Sequence, residues 1–308
     1  MPLPLSVSVR EVGPRDGLQI EAPITTAHKL ELLEALVATG VPRIEATAFV
    51  SPKAVPSLSD AAQVAATLSQ FPAVQWSALV ANARGARRAV AAGVRDVEYV
   101  VSAMDGHSLA NSRRSSDEAV AEVAEVAEVV HGAGGTCEVI IAVAWDCPFD
   151  GPTPAARTAS VAARALHLGA DQVCLGDTIG TASPARVLQL IEAVRAEIGG
   201  TPLGAHFHDT RGMGLANAWA AVTAGITQLD ASIGGLGGCP FAPGASGNIA
   251  TEELVYLLED AGISTGLRLE ATLDAARLAG QLVGHALPSG LLRANGRSRP
   301  KGSADGGR

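Results

Sequence analysis

Eight short apolar runs recur along the chain, and each is followed by a longer stretch of helical character. The runs are SVSVREV (6–12), RIEATAF (43–49), VQWSALV (74–80), DVEYVVS (96–102), CEVIIAVA (137–144), QVCLGD (172–177), LGAHFH (203–208) and ITQLDASI (226–233). Runs this apolar suit strands that are buried on both faces, as in a parallel sheet covered by helices. Eight such units within 308 residues predict an α/β protein of the (β/α)₈ TIM-barrel type.

A doubly wound open sheet is the alternative architecture for the same alternation of strands and helices. It loses support because no Gly-x-Gly-x-x-Gly fingerprint follows the first strand. A further C-terminal helix, at about 270–286, is predicted to pack outside the barrel. We therefore expect one catalytic barrel domain over residues 1–290 and a disordered tail over residues 291–308.

The composition excludes several classes of protein. The net charge is −8 and aromatic residues make up 3% of the chain, which argues against a nucleic-acid partner. No apolar run approaches the length of a membrane span, and the start of the chain does not resemble a signal peptide. Four unpaired cysteines (Cys137, Cys147, Cys174 and Cys239) then predict a cytoplasmic protein with reduced thiols. The excess of arginine over lysine and the abundance of alanine indicate a bacterial source.

Polar side chains stand where several predicted strands end, and in (β/α)₈ barrels the active site lies at those ends. They are Arg15, Asp16, Glu45, Ser102, Asp177, His206 and His208. His206 and His208 are two residues apart on one strand, so both imidazoles share a face. Together with Asp16 they provide one oxygen and two nitrogens, a set that suits Mg²⁺, Mn²⁺ or Zn²⁺.

Each of these residues also has a simpler structural explanation. Asp16 suits a turn, Asp177 suits a loop or helix cap, and the two histidines could lie on a solvated strand face. Glu45 could be a surface carboxylate, but burying it within an apolar strand would require a partner, for which Arg15 is the candidate. The agreement of several strand ends favours a site.

A glycine-rich loop at 234–247 surrounds Cys239. It lacks the Lys-Ser/Thr ending of a phosphate-binding P-loop. A mobile lid that brings Cys239 to a closed site and a plain linker with a buried thiol both fit this composition.

Five motifs together resemble the hydroxymethylglutaryl-CoA lyase family of metal-dependent lyases and condensing enzymes. They are EVGPRDGLQ (11–19), FVSPKAVP (49–56), LGDTIG (175–180), HFHDTRGMGLAN (206–217) and GGLGGCPFAPGASGNIATEELVYLLE (234–259). The resemblance implies retro-Claisen cleavage of a 3-hydroxy-3-methylglutaryl-CoA-type thioester to acetyl-CoA and a keto acid. It also implies a homodimer, an acyl-CoA substrate, a divalent cation (Mg²⁺ or Mn²⁺) and no organic cofactor.

The same resemblance implies roles for individual residues. The metal ligands would be Asp16, His206, His208 and Asn248. Arg15 would stabilise the enolate and Cys239 would transfer a proton, with Glu45 and Asp177 completing the catalytic set.

The chain departs from this family at the walls of the expected acyl pocket. Ala48 stands where a serine is expected, Ala54 and Arg211 where aromatic residues are expected, and Trp145 with Asp146 where smaller uncharged residues are expected. These changes indicate either a different branched or citramalyl-like 3-hydroxyacyl-CoA substrate or neutral drift.

Other functions and contacts remain open from the sequence. Arg113 and Arg114 are candidates to contact the CoA phosphates, although a solvated surface pair fits them equally well. A Claisen condensing enzyme of the same superfamily is the main alternative function, and a non-enzymatic barrel is the other.

Overall fold

Eight parallel strands close into a barrel in a computed structural model of the chain, which describes residues 2–238 and 247–297. Neighbouring strands follow the order β1-β10-β9-β8-β5-β4-β3-β2 around the barrel. These eight strands are β1 (Ser8–Glu11), β2 (Arg43–Phe49), β3 (Gln75–Val80), β4 (Asp96–Ser102), β5 (Cys137–Ala142), β8 (Gln172–Asp177), β9 (Leu203–Phe207) and β10 (Gln228–Ala231). The predicted TIM barrel is therefore confirmed.

Helices follow the strands and cover the outside of the barrel. They are α1 (Thr26–Val37), α2 (Ala61–Ala65), α3 (Ala83–Ala91), α4 (Asp105–Ser112), α5 (Ser116–Ala121), α6 (Val123–His131), α7 (Ala155–His167), α8 (Pro184–Ile198), α9 (Gly214–Thr223), α10 (Thr251–Asp260), α11 (Leu269–Val283) and α12 (Gly290–Arg293). Each barrel strand directs buried apolar side chains outward against this layer: Val9, Ile44, Ala78, Val97, Val139, Val173, Ala205 and Leu229.

Several details differ from the sequence-based expectation. The helical stretch after β2 is broken into short turns about α2, and the one after β4 is divided into α4, α5 and α6. A small hairpin after β5, β6 (Asp146–Cys147) with β7 (Gly151–Pro152), has no counterpart in the prediction. The expected final helix is α11, α12 overlaps the start of the predicted tail, and residues 298–308 lie outside the described part.

The interior of the barrel holds a buried ionic network instead of a purely apolar core. Arg10 is 1% exposed, and its guanidinium lies 2.6 Å from Glu98, 2.9 Å from Glu138 and 2.8 Å from Asp230. Because an unpaired buried charge is costly, Arg10 must keep these partners. One member of the network, Asp230, lies one residue before the end of β10 and pairs with His206 on β9.

No helix among the described residues is long and apolar enough to cross a membrane.

Candidate metal centre and active site

Asp16, His206 and His208 converge at the carboxyl end of the barrel. Asp16 lies in a single helical turn, Gly13–Gly17, that follows β1, and the two histidines lie at the end of β9. One potential ligand atom from each residue lies within 4.8 Å of those from the other two. The imidazole Nε2 of His208 is 3.7 Å from Asp16 Oδ2, and the two histidine rings are 5.1 Å apart. The predicted clustering of these three side chains is therefore present in the fold.

The electrostatics of Asp16 suit a metal ligand. Burial alone would raise the pKa of this carboxyl, but Arg15 and the two histidines outweigh burial and hold the pKa well below its usual range. Asp16 is therefore an anion at neutral pH, as metal ligation requires.

Asn248 completes this cluster from the far side of the glycine-rich loop. Its Nδ2 donates to Asp16 Oδ2 at 2.7 Å and to the Leu236 carbonyl at 3.0 Å. Its Oδ1 is buried and has no hydrogen-bond partner in the described part of the chain. A buried carbonyl oxygen without a donor, beside a carboxylate and two imidazoles, fits a divalent cation. Only the family resemblance pointed to Asn248, because no local pattern distinguishes it.

Arg15 and Glu45 form a buried ion pair next to this cluster. Arg15 donates from Nε to Glu45 Oε2 at 2.7 Å and from Nη1 to Asp16 Oδ1 at 2.5 Å. The other oxygen of Glu45 has no partner among the described residues. Burial raises the pKa of Glu45 to about 8, against the opposing effect of Arg15. The pairing of Arg15 with Glu45 that the sequence suggested is present.

Asp177 has a different environment from the other predicted site residues. It pairs with Phe207 in the sheet, and its carboxylate accepts hydrogen bonds from the backbone amides of Thr181 and Ala182 at 3.0 and 3.1 Å. These contacts are those of a loop cap, the simpler explanation considered for this residue. Burial raises its pKa.

Ala48 faces the barrel interior because of a β-bulge. The register of β2 against β3 shifts between Glu45 and Thr47, so that Glu45 pairs with Ser77 and Ala48 pairs with Leu79. Ser77 and Leu79 are two residues apart on β3 and share a face of the sheet. Their partners on β2, Glu45 and Ala48, therefore also lie on the same side. This position is consistent with a wall of the acyl pocket.

Trp145 and Arg211, the other two predicted pocket residues, do not lie with Ala48. Trp145 is buried, its ring is 5.7 Å from that of Phe207, and its Nε1 donates to the Arg186 carbonyl on α8. Phe207 alternates with the two histidines and so faces the helices. Arg211 is exposed and donates to the carbonyls of Ile179 and Gly180.

The other residues that the sequence singled out have separate environments. Arg113 is exposed at the end of α4, whereas Arg114 is engaged by Glu122 in an ion pair. Ala54 is exposed in a turn. Cys239 lies outside the described residues.

Two buried carboxylates hold the segments on either side of the loop that carries Cys239. Glu11 accepts from the amides of Gly13 and Ile233 and from the Thr251 hydroxyl, at 2.7, 2.8 and 2.5 Å. Glu252 accepts from the Gly234 amide at 3.0 Å. Burial raises the pKa of each carboxyl to about 7.

This arrangement predicts a stability that depends on pH near neutrality. Glu252 binds a proton more tightly in the folded chain than in the unfolded one, so the free energy of unfolding should fall as pH rises from about 4.5 to about 7. Glu252→Gln should remove about 1–3 kcal/mol of that fall. Denaturation at pH 5, 6, 7 and 8 measures it, with the exposed Glu270→Gln as the control. A constant difference from the wild type across this range would contradict the prediction.

Comparison with known proteins places the chain among acyl-CoA lyases by similarity of sequence. The family model described as HMGL-like matches residues 6–279. The hydroxymethylglutaryl-CoA lyase YngG of Bacillus subtilis is 40% identical over 95% of this chain and 98% of its own length. The (R)-citramalyl-CoA lyase of Chloroflexus aurantiacus is 39% identical over 92% of this chain and 93% of its own.

A solved structure extends the likeness to three dimensions. It is a hydroxymethylglutaryl-CoA lyase of Acinetobacter baumannii in complex with coenzyme A and 3-methylmalate. The TM-score is 0.91 at 40% identity, covering 96% of this chain and 97% of that one.

Proposed function

The chain belongs to the HMGL-like family, in which its curated relatives are carbon–carbon lyases, and we propose that it catalyses a reaction of the same kind. The enzyme cleaves the C2–C3 bond of a 3-hydroxy-3-methylglutaryl-CoA-type thioester, releasing acetyl-CoA and a keto acid. That keto acid is acetoacetate when the substrate is 3-hydroxy-3-methylglutaryl-CoA. The observation that carries the proposal is the cluster of Asp16, His206 and His208 beside the buried Arg15–Glu45 pair.

Asp16, His206, His208 and Asn248 would hold a divalent cation, Mg²⁺ or Mn²⁺. Such a cation, when bound, lowers the pKa of a coordinated hydroxyl and fixes its orientation. A mixed set of oxygen and nitrogen ligands accepts several metals, so the donor set does not select between these two.

Arg15 would stabilise the negative charge that develops on the thioester oxygen as the C2–C3 bond breaks. Its Nε and Nη1 are held by Glu45 and Asp16, which fixes the plane of the guanidinium. Its Nη2 has no partner in the described part of the chain and is the donor for the enolate oxygen. A donor that is already oriented stabilises the transition state without a cost of reorganisation.

Glu45 and Cys239 would handle the protons. Burial raises the pKa of Glu45, and one of its oxygens has no partner among the described residues, so Glu45 suits proton exchange with the C3 hydroxyl. Cys239 would protonate C2 of the departing acetyl-CoA enolate. Asp177 would act by holding the loop after β8 through its two backbone contacts.

A citramalyl-like thioester is the second candidate substrate. Ala48 supports it, because a small side chain at the interior position after Glu45 leaves room for a different acyl substituent. The likeness to the Chloroflexus enzyme supports it as well. Arg211 and Trp145 would act on specificity indirectly, by shaping the loops after β8 and β5. Of the two arginines after β4, Arg113 is the candidate for the CoA phosphates, because Arg114 is paired with Glu122.

A coupled assay for acetyl-CoA release tests the proposal. We expect Mg²⁺- or Mn²⁺-supported turnover of 3-hydroxy-3-methylglutaryl-CoA, with citramalyl-CoA cleaved more slowly. Cys239→Ser should lose most of this activity, whereas Cys147→Ser, at a buried thiol on the hairpin, should retain it. Preferred cleavage of citramalyl-CoA would reverse the order of substrates, and acetyl-CoA consumption with a 2-oxo acid would favour a condensing enzyme.

A homodimer and the absence of an organic cofactor are proposed from the family resemblance. A cytoplasmic location and the absence of nucleic-acid and membrane partners are proposed from the composition and charge of the chain. Sedimentation of the purified chain tests the homodimer.

A further inference from the structure

Asp230 contacts one of the two histidines of the candidate metal centre. Its Oδ2 lies 3.1 Å from His206 Nδ1, and both side chains are buried within the barrel. Asp230 on β10 pairs directly with His206 on β9 and with Arg10 on β1. Arg10, Asp230 and His206 therefore form one row across three neighbouring strands, where strand pairing keeps their spacing nearly constant.

Arg10 holds Asp230 through both carboxylate oxygens. Its Nε donates to Oδ1 at 2.9 Å and its Nη2 to Oδ2 at 2.8 Å. The guanidinium is fixed from its other side by Glu98 and Glu138. A planar guanidinium bound on two sides restricts the rotation of the Asp230 carboxylate.

The two histidines of the centre differ in the contacts of their Nδ1 atoms. His206 Nδ1 is engaged by Asp230, whereas His208 Nδ1 is buried and has no partner within the described residues. An ionised carboxylate accepts hydrogen bonds but cannot donate one, so Asp230 favours the tautomer of His206 that carries hydrogen on Nδ1. The lone pair of His206 then lies on Nε2, the nitrogen that is left to ligate a cation.

We infer that Asp230 is a positioning residue that fixes the tautomer and ring orientation of His206 for metal binding, and that Arg10 keeps Asp230 in place. The inference rests on the metal centre in the proposed function. Carboxylates placed in this way behind a ligating histidine usually contribute 10- to 100-fold in metal affinity.

Asp230→Asn is the sharpest test because it preserves size and removes one acceptor. The two oxygens of Asp230 receive hydrogen bonds from two Arg10 nitrogens and from His206. An amide has a single oxygen. If that oxygen faces Arg10, its NH₂ group faces His206 Nδ1 and stabilises the wrong tautomer.

Titration calorimetry with Mn²⁺ gives the main readout. We expect Asp230→Asn to bind Mn²⁺ about 10- to 100-fold more weakly than the wild type. Asp171→Asn is the matched control, since Asp171 contacts His131 at the surface and touches neither Asp230 nor His206, and its Mn²⁺ affinity should change less than about threefold. Unchanged affinity in Asp230→Asn, or equal losses in both variants, would overturn the inference.

Nitrogen-15 NMR of histidine-labelled, metal-free protein gives a second readout that a loss of packing would not produce. The His206 signals should show hydrogen on Nδ1 in the wild type and a shift towards hydrogen on Nε2 in Asp230→Asn. An unchanged tautomer would also count against the inference. If Asp230→Asn does not fold, Arg10→Lys loosens the same carboxylate while retaining the charge and should weaken Mn²⁺ binding by about 3- to 10-fold.

These measurements separate the inference from the proposed function. A wild-type protein that binds Mn²⁺ but cleaves no acyl-CoA contradicts the proposed function and leaves the role of Asp230 standing. An active wild type whose Asp230→Asn variant binds Mn²⁺ normally contradicts only the inference. A wild type that does not bind Mn²⁺ contradicts both.

Discussion

Arg15→Gln should lower kcat for acyl-CoA cleavage by about 10³-fold while Mn²⁺ binding is retained or becomes tighter. The loss in kcat follows from removing a preoriented donor at the oxygen where the enolate charge develops, since such donors are typically worth 10²- to 10³-fold or more. The effect on Mn²⁺ follows from position. The guanidinium lies 2.5 Å from Asp16 Oδ1 and competes with a cation for that carboxylate.

A loss of turnover without a loss of metal affinity distinguishes this role from a structural one. A variant that merely disturbed the cluster would lose both together. The matched control is Arg87→Gln, a half-exposed arginine of α3 that pairs with Glu125 on the surface, and it should behave as the wild type. Steady-state kinetics and Mn²⁺ titration of both variants make the comparison. A parallel loss of kcat and metal affinity in Arg15→Gln would contradict the assignment.

The barrel could be predicted from the sequence because each strand is marked by a local pattern of the same kind. Arg43–Phe49, Asp96–Ser102 and Gln172–Asp177 have the predicted bounds. These segments are apolar and β-branched and are bounded by turn residues, which is the strongest local signal available. The convergence of Asp16 with His206 and His208 followed from the barrel itself, because parallel strands bring their carboxyl ends to one mouth.

Other features depend on contacts that no local pattern encodes. Asn248 meets Asp16 across 232 positions of sequence, and it was identified only through the family resemblance. The bulge in β2 sets the direction of Ala48, although nothing in RIEATAF marks where the extra residue falls. Trp145 was expected at the pocket wall as a replacement for a smaller residue. Its packing against Phe207, with the two rings tilted by 41°, follows the turn after β5, where Val143 has a positive φ of 52°.

The buried ionic network connects fold and site in a way that the sequence did not suggest. Arg10 and Glu98 lie within runs that read as ordinary buried strands, and a charge in such a run argues against burial when taken alone. Burial is feasible because four strands each contribute one member of the network, so the Arg10 guanidinium contacts all three carboxylates. The same network ends at His206 through Asp230, and the packing of the barrel thereby orients a candidate metal ligand.

Removal of the divalent cation should abolish cleavage, and loss of one ligand should reproduce that result. Excess EDTA should reduce turnover by at least about 10³-fold, with recovery on addition of Mn²⁺, because a bound cation would orient the substrate hydroxyl and lower its pKa. His208→Ala should weaken Mn²⁺ binding by at least about 100-fold, since it removes one of the two nitrogen ligands in the cluster. His131→Ala, at an exposed histidine of α6, serves as the control and should bind Mn²⁺ normally.

Because the pKa of Asp16 is held well below its usual range, protonation of this carboxylate cannot account for any loss of Mn²⁺ binding between pH 5 and 8. Turnover that survives EDTA in the wild type would require chemistry that does not depend on the metal and would contradict the proposed centre.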